Sequence, residues 1–206
     1  MNRIRAALLV TVSLWTAAHA QDLVRAARQG DVHVYATQQK TDRRVFDETI
    51  TVTAVEGDRL RTRHERSDGS AATEGMYGKD WSTLKSGVSG ATFDPPGRML
   101  APPLEAGKSW LAVYRVKSAT GGESQVKMES RVAAREKLAT PAGEYDTWRI
   151  ESRGYVNGVS WTGGFGVLQK VWYAPAIDRI VRSEYREQRR PGTDNVAELK
   201  QFKPAD

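Results

Sequence analysis

The chain has 206 residues, with 31 Lys plus Arg against 25 Asp plus Glu, no cysteine, and 39% apolar residues. Those figures exclude a disulfide scaffold, a cysteine-ligated zinc ribbon and an acidic disordered tail. They are the size and composition of one globular domain.

Residues 1–20 read as an export leader. Arg3 and Arg5 give a positive start, Ala6 to Trp15 run apolar but for Thr11 and Ser13, and Ala18-His19-Ala20 supplies small residues for cleavage after Ala20. About ten apolar residues suit a signal peptide and fall short of the roughly 20 that span a bilayer. The expectation is a periplasmic protein, not integral to the membrane, forming a single domain over residues 21–206. Without Arg3 and Arg5, 29 basic side chains face 25 acidic ones, a balance of +4. A balance that weak on an exported chain does not call for nucleic acid; Arg43-Arg44 and Arg189-Arg190 flank strands, where charge blunts edges.

Residues 21–30 fit one short helix, with Leu23, Ala26 and Ala27 on one face and Gly30 as its stop. From there the period is two. Phe46, Ile50, Val52 and Ala54 alternate with Asp47, Thr49, Thr51 and Thr53, the pattern of a half-buried strand. Glu56-Gly57-Asp58 turns the chain; Leu60, Thr62 and His64 then alternate with Arg59, Arg61 and Arg63, and Asp68-Gly69 turns it again. Short strands are predicted at 73–77 and 80–86. The segment 87–109 holds four prolines and four glycines, which predicts a long connection between two halves of a sheet.

The meander then repeats. Trp110, Ala112, Tyr114 and Val116 share a face, as do Val126, Met128, Ser130 and Val132, and then Trp148 and Ile150. Pro141-Ala142-Gly143 is a tight turn, and Asn157-Gly158 carries the sharpest hairpin signal in the chain. Thr162-Gly163-Gly164-Phe165-Gly166 lacks the lysine and hydroxyl of a phosphate loop and reads as a strand bend or bulge. Strands follow at 167–173, ended by Pro175, then at 179–188 and 196–202. Turn signals every 8–15 residues argue an all-β antiparallel domain, a large curved sheet folded over its apolar side; a barrel and a sandwich fit the same pattern.

Residues for chemistry are sparse. The mature chain has two histidines, His33 and His64, with no G-x-S-x-G, no H-E-x-x-H and no His/Asp/Glu cluster at ligand spacing. His64 shares the parity of Leu60 and reads as a packed histidine. The carboxylate pairs Asp47/Glu48, Glu144/Asp146 and Glu184/Glu187 sit among Arg and Lys, and cross-strand ion pairing accounts for them. No catalytic residue, metal or cofactor is assigned.

Three segments together resemble the TapB-like group of exported bacterial domains of unknown function: Gly107-Lys108-Ser109-Trp110, then 138–147 around Pro141-Ala142-Gly143-Glu144-Tyr145-Asp146-Thr147, then Trp172-Tyr173-Ala174-Pro175 with Arg179 to Glu184. The resemblance covers about 107–185. It implies a fold like the LolA/LolB half-barrel and an exported location, and implies no reaction. The reading drawn from residues and resemblance together is a non-enzymatic periplasmic domain that binds an apolar or amphipathic envelope ligand, such as a lipid, on a concave sheet face. Trp110, Tyr114, Trp148, Trp172 and Arg182 are the candidate ligand-binding residues. The alternatives are a module that docks a protein partner in an envelope complex, and a carbohydrate-active hydrolase using a carboxylate pair.

Overall fold

A computed structural model describes residues 25–189 and 191–206. The predicted leader, residues 1–20, lies outside them. Twelve strands follow one another: β1 (Val32–Gln39), β2 (Arg44–Glu56), β3 (Arg59–Arg66), β4 (Thr73–Gly78), β5 (Thr83–Lys85), β6 (Thr92–Gly97), β7 (Ser109–Lys117), β8 (Glu123–Thr140), β9 (Gly143–Gly158), β10 (Gly164–Ala174), β11 (Arg179–Gln188) and β12 (Asp194–Lys203). Each pairs antiparallel with its chain neighbours, and β1 pairs with β12, so the sheet closes into a barrel.

The all-β antiparallel expectation holds, and the half-barrel does not. A half-barrel keeps two free edges. Here β1 and β12 are registered from Val32 opposite Lys203 to Gln39 opposite Asn195, and no edge is left among the described strands. Closure turns the concave face into an interior. One cluster there contains Val52, Leu60, Trp81, Leu100, Val132, Ile150, Val171 and Tyr173. A second cluster holds Tyr35, Ile50, Trp172, Ala174, Val181 and Leu199. A third has Val126, Met128, Phe165 and Val167.

The predicted N-terminal helix is also corrected. Residues 21–24 lie outside the described residues, and 25–30 are irregular chain ending in a turn at Gly30. Asp31 explains why that segment is extended. Its carboxylate takes both terminal nitrogens of Arg25 at 2.6 and 2.7 Å, the Arg28 N–H at 2.9 Å, and the Ala205 N–H at 2.8 Å. One buried carboxylate thus clasps the chain before β1 to the chain after β12, at the seam that closes the barrel. Burial works against its ionisation; the Arg25 guanidinium and the two N–H groups override it and hold the carboxyl at about 2. A folded-state value below the ordinary 3.8 contributes stability above the ordinary value, and that contribution is lost as pH falls from about 4 to about 2. Asp31→Asn is expected to cost about 2 kcal/mol at pH 7, and the gap between variant and parent in urea titrations should shrink across that acid window.

Three local differences have physical reasons. The proline-rich segment 87–109 contains β6 after all: Thr92, Phe93 and Asp94 pair with β7, and Gly97 with Thr83 of β5, while Pro95 and Pro96 take no ladder position and stay exposed. The hairpin at Asn157-Gly158 exists, but its loop is 159–163; Asn157 already pairs with Gly164. Gly158 is needed for close approach, since a Cβ there would lie 2.0 Å from the Trp161 carbonyl oxygen. The bulge of β10 falls at Trp172/Tyr173, outside the glycine run. Pro141-Ala142 forms the expected turn, with Gly143 at φ +129°, and Pro175 opens a 3-10 turn that ends β10.

Candidate functional site

Inside the barrel, alternation in β1–β3 brings polar side chains into the core. Tyr35 and Glu48 face each other across β1 and β2, and His64 pairs opposite Ile50 across β2 and β3. His64 Nδ1 lies 3.0 Å from Glu48 Oε1, and its Nε2 lies 2.9 Å from the Thr62 hydroxyl. In the neutral ring, a proton on Nδ1 donates to Glu48 and leaves Nε2 to accept from Thr62. That is the bonding order of a nucleophile–base–acid relay. All three groups are closed off from solvent: Thr62 is 1% exposed, His64 3% and Glu48 7%, and the Gly87 backbone lies against the imidazole. The relay acts as an internal brace between β2 and β3. The sequence placed His64 in the core, and the signal for its partner was there too, because Glu48 shares the inward parity of Phe46 and Ile50.

Beside it, Arg179 is buried with its guanidinium 3.9 Å from the Trp81 ring centroid. Its Nε donates to the Tyr35 hydroxyl at 2.9 Å, which donates onward to the Ile180 carbonyl at 2.7 Å. Burial raises the Tyr35 hydroxyl above its ordinary range. Asp178, next in chain, accepts from the Tyr173 hydroxyl at 2.8 Å, and burial raises its carboxyl. No group of three His, Asp or Glu side chains among the described residues has the arrangement of a metal site.

The carboxylate pairs are engaged elsewhere. Asp47 bonds Lys200 at 2.7 Å on the opposite face from Glu48, Glu144 bonds Lys137 at 3.2 Å, Glu184 bonds Arg182 at 3.0 Å, and Glu187 bonds Arg189 at 2.8 Å. Ion pairing is the visible role of these four.

The five candidate ligand-binding residues do not converge. Trp110 and Trp148 are half-buried against the Val52–Leu60–Trp81 cluster, and Arg135 stacks on Trp148 at 5.3 Å. Tyr114 packs on the Val126–Phe165 cluster, where burial pushes its hydroxyl up to about 12. Trp172 is buried in the second cluster and donates from Nε1 to Glu136 at 2.7 Å. Only Arg182 joins it, 5.5 Å above the indole, with Glu198 and Glu184 each at 3.0 Å from the guanidinium.

Arg182 leads outward to a feature that the sequence reading missed. Two shallow grooves cross the outer surface of β10, β11, β12 and the end of β1. One, of about 210 Å³, is lined by Ala36, Gln38, Lys40, Arg182, Val196 and Glu198. The other, of about 280 Å³, is lined by Lys40, Leu168, Lys170, Glu184, Arg186 and Asp194, among others. Lys40 borders both. Arg186 is bonded to Asp194 at 3.1 Å, while Lys40 reaches Asp194 only at 4.0 Å and Lys170 has no ion pair among the described residues. The signal was the parity of 182, 184 and 186 on one strand; the contribution of Lys40 needed the β1–β12 closure.

No protein-family model matches the chain, and no curated protein matches it. Among solved structures it is similar to a protein of Parabacteroides distasonis named as a lipoprotein (12% identity, TM-score 0.57, 89% of this chain and 100% of that one). It is likewise similar to an exported-named protein of Bacteroides fragilis with a YmcC-like fold, at 13% identity and TM-score 0.55, over 89% of this chain and 100% of that one. The lipoprotein-named YmcC of Escherichia coli K12 aligns at 9% identity and TM-score 0.51, over 87% of this chain and 86% of that one. At these identities the likeness is one of fold: the chain has a YmcC-like fold across nearly its whole described length.

Proposed function

We propose that this protein is an exported, periplasmic member of the TapB-like group that works by binding rather than catalysis, and that it holds an amphipathic envelope component with an acidic head in the outer grooves around Lys40. The fold it shares with proteins named as exported or lipoprotein supports the compartment, as does the leader pattern of residues 1–20. The single observation that carries the ligand class is the groove chemistry. Lys40 and Lys170 line the larger groove with Leu168, Lys40 lines the smaller with Ala36 and Val196, and Arg182 and Arg186 are held in place by carboxylates. Cations beside apolar atoms, with Lys170 unpaired among the described residues and Lys40 only distantly paired to Asp194, suit an acidic head on an apolar body. With the sheet closed, this reading puts the ligand on the outer wall, and of the five candidate residues Arg182 is the one that lines a groove.

The protein-partner alternative keeps the charged outer face and loses the sheet-edge route, because every described strand has two neighbours. Among the described residues no helix is long and apolar enough to cross a membrane. The test is titration of the mature protein with a short-chain phosphatidylglycerol below its micelle concentration. Saturable one-site binding is expected, weakened about tenfold, or about 1.4 kcal/mol, by Lys40→Glu. No binding, or equal binding by the variant, removes the groove from the account.

A further inference from the structure

The outer face of β7–β10 carries a second feature, which adjoins the grooves at Leu168 and Lys170 and extends away from them across β9, β8 and β7. Registers across the four strands align three successive rows: Ser109, Arg131, Glu151, Lys170; then Leu111, Glu129, Arg153, Leu168; then Val113, Lys127, Tyr155, Gly166. Arg115 follows Val113 on β7 with the same outward parity. The face measures roughly 20 by 14 Å from strand rise and spacing.

Its apolar residues are exposed: Leu111 54%, Tyr155 47%, Val113 44% and Leu168 42%. Outward positions of an antiparallel sheet are ordinarily polar, so four large apolar side chains on one face need a reason. Gly164 leaves room for the Tyr155 ring, which a Cβ there would meet at 2.6 Å. Around these four stand five cations and two carboxylates. Glu129 is taken by Arg153 at 3.3 Å, and Glu151 is taken by Arg149. Arg115, Lys127, Arg131 and Lys170 have no ion pair among the described residues and frame the apolar residues on β7, β8 and β10.

We infer that this face docks onto an anionic phospholipid surface. The argument is charge complementarity. Unpaired cations attract the headgroup layer, and the apolar side chains between them enter the interface once contact is made. The same charges keep the barrel on the surface: a spanning barrel presents an apolar band to lipid, and these rows hold Arg, Lys and Glu at mid-strand.

The test uses the mature chain and co-sedimentation with two vesicle types, phosphatidylcholine alone and phosphatidylcholine doped with phosphatidylglycerol. Binding is expected only to the doped vesicles, falling as salt rises. The pair Lys127→Glu and Arg131→Glu, both exposed and outward, is expected to weaken it more than about tenfold. Leu111→Ser with Val113→Ser should weaken it with salt dependence kept. The Lys127/Arg131 pair lies outside both grooves and should still titrate with monomeric short-chain phosphatidylglycerol as the parent does, so failure of the groove and failure of this face are read separately. Equal binding to both vesicle types, or unchanged binding by the Lys127/Arg131 pair, overturns the inference; so does the absence of vesicle binding, which would leave a protein as the occupant.

Discussion

Gly87→Ala is expected to cost the fold about 3 kcal/mol, at the upper end for an added methyl group in a packed core. The methyl carbon would stand 2.1 Å from His64 Nε2, 2.2 Å from Cδ2 and 2.5 Å from Cε1. The imidazole has nowhere to go. It is 3% exposed, is held by Glu48 on one side and Thr62 on the other, and has the Tyr77 ring 6.4 Å away, centroid to centroid. Either the ring gives up its two hydrogen bonds and leaves a buried carboxylate unpartnered, or the connection between β5 and β6 lifts off the barrel. The loss should therefore be coupled to the ring. In a His64→Ala background there is room for the methyl group, and the same substitution should become nearly neutral. A double-mutant cycle by urea unfolding is expected to give a coupling above about 1.5 kcal/mol. Additive single effects would show that Gly87 and His64 do not share the space described.

Glycine positions mark where the chain was legible and where it was not. At Gly57 and Gly143 the turns fell where turn chemistry placed them, and both residues have positive φ. Gly158 was misread because its role is steric room for the loop that returns over it, and no local pattern distinguishes room from rotation. The strand faces were legible for the reason that period two is physical: Val126, Met128, Ser130 and Val132 all point inward, as their parity implies. Closure was not legible. It depends on β1 and β12, more than 150 residues apart, and on the Asp31 clasp, whose partners Arg25, Arg28 and Ala205 are unremarkable letters in the sequence. The aromatic residues were found and their grouping was not, because three interior clusters divide them. On the outer wall the fault is reversed: the pattern of β7 draws attention to the face of Trp110, Ala112, Tyr114 and Val116, and only register with Tyr155 and Leu168 makes a face of Leu111 and Val113.

His33 sets the largest pH effect. It is 1% exposed and stacked on Phe202 at 4.8 Å. Burial holds its imidazole down to about 3 from the ordinary 6.5, and the positive charge of Arg179 adds to that, against the opposing pull of Asp31. Arg25 works with Arg179, and a backbone contact with Ile50 works weakly the other way. The ring therefore stays neutral in the folded barrel while the unfolded chain takes up a proton below pH 6.5. With the folded value depressed, the neutral ring's contribution is fully present above the unfolded value and is lost as pH falls from 6.5 toward about 3. At pH 4 the loss amounts to about 3 kcal/mol, and near pH 3 it exceeds any other single group described. His33→Phe keeps an aromatic ring against Phe202 and removes the proton site. The variant should match the parent within about 1 kcal/mol at pH 8 and surpass it by about 3 kcal/mol at pH 4, moving the acid unfolding midpoint down. The check is urea unfolding at a series of pH values, with Asp31→Asn alongside, because the two acid windows differ: the Asp31 contribution survives until about pH 4 and the His33 contribution is already fading at pH 6. A parent whose stability is flat between pH 7 and pH 4, or a His33→Phe variant that tracks it there, would place the acid sensitivity of the barrel in other groups.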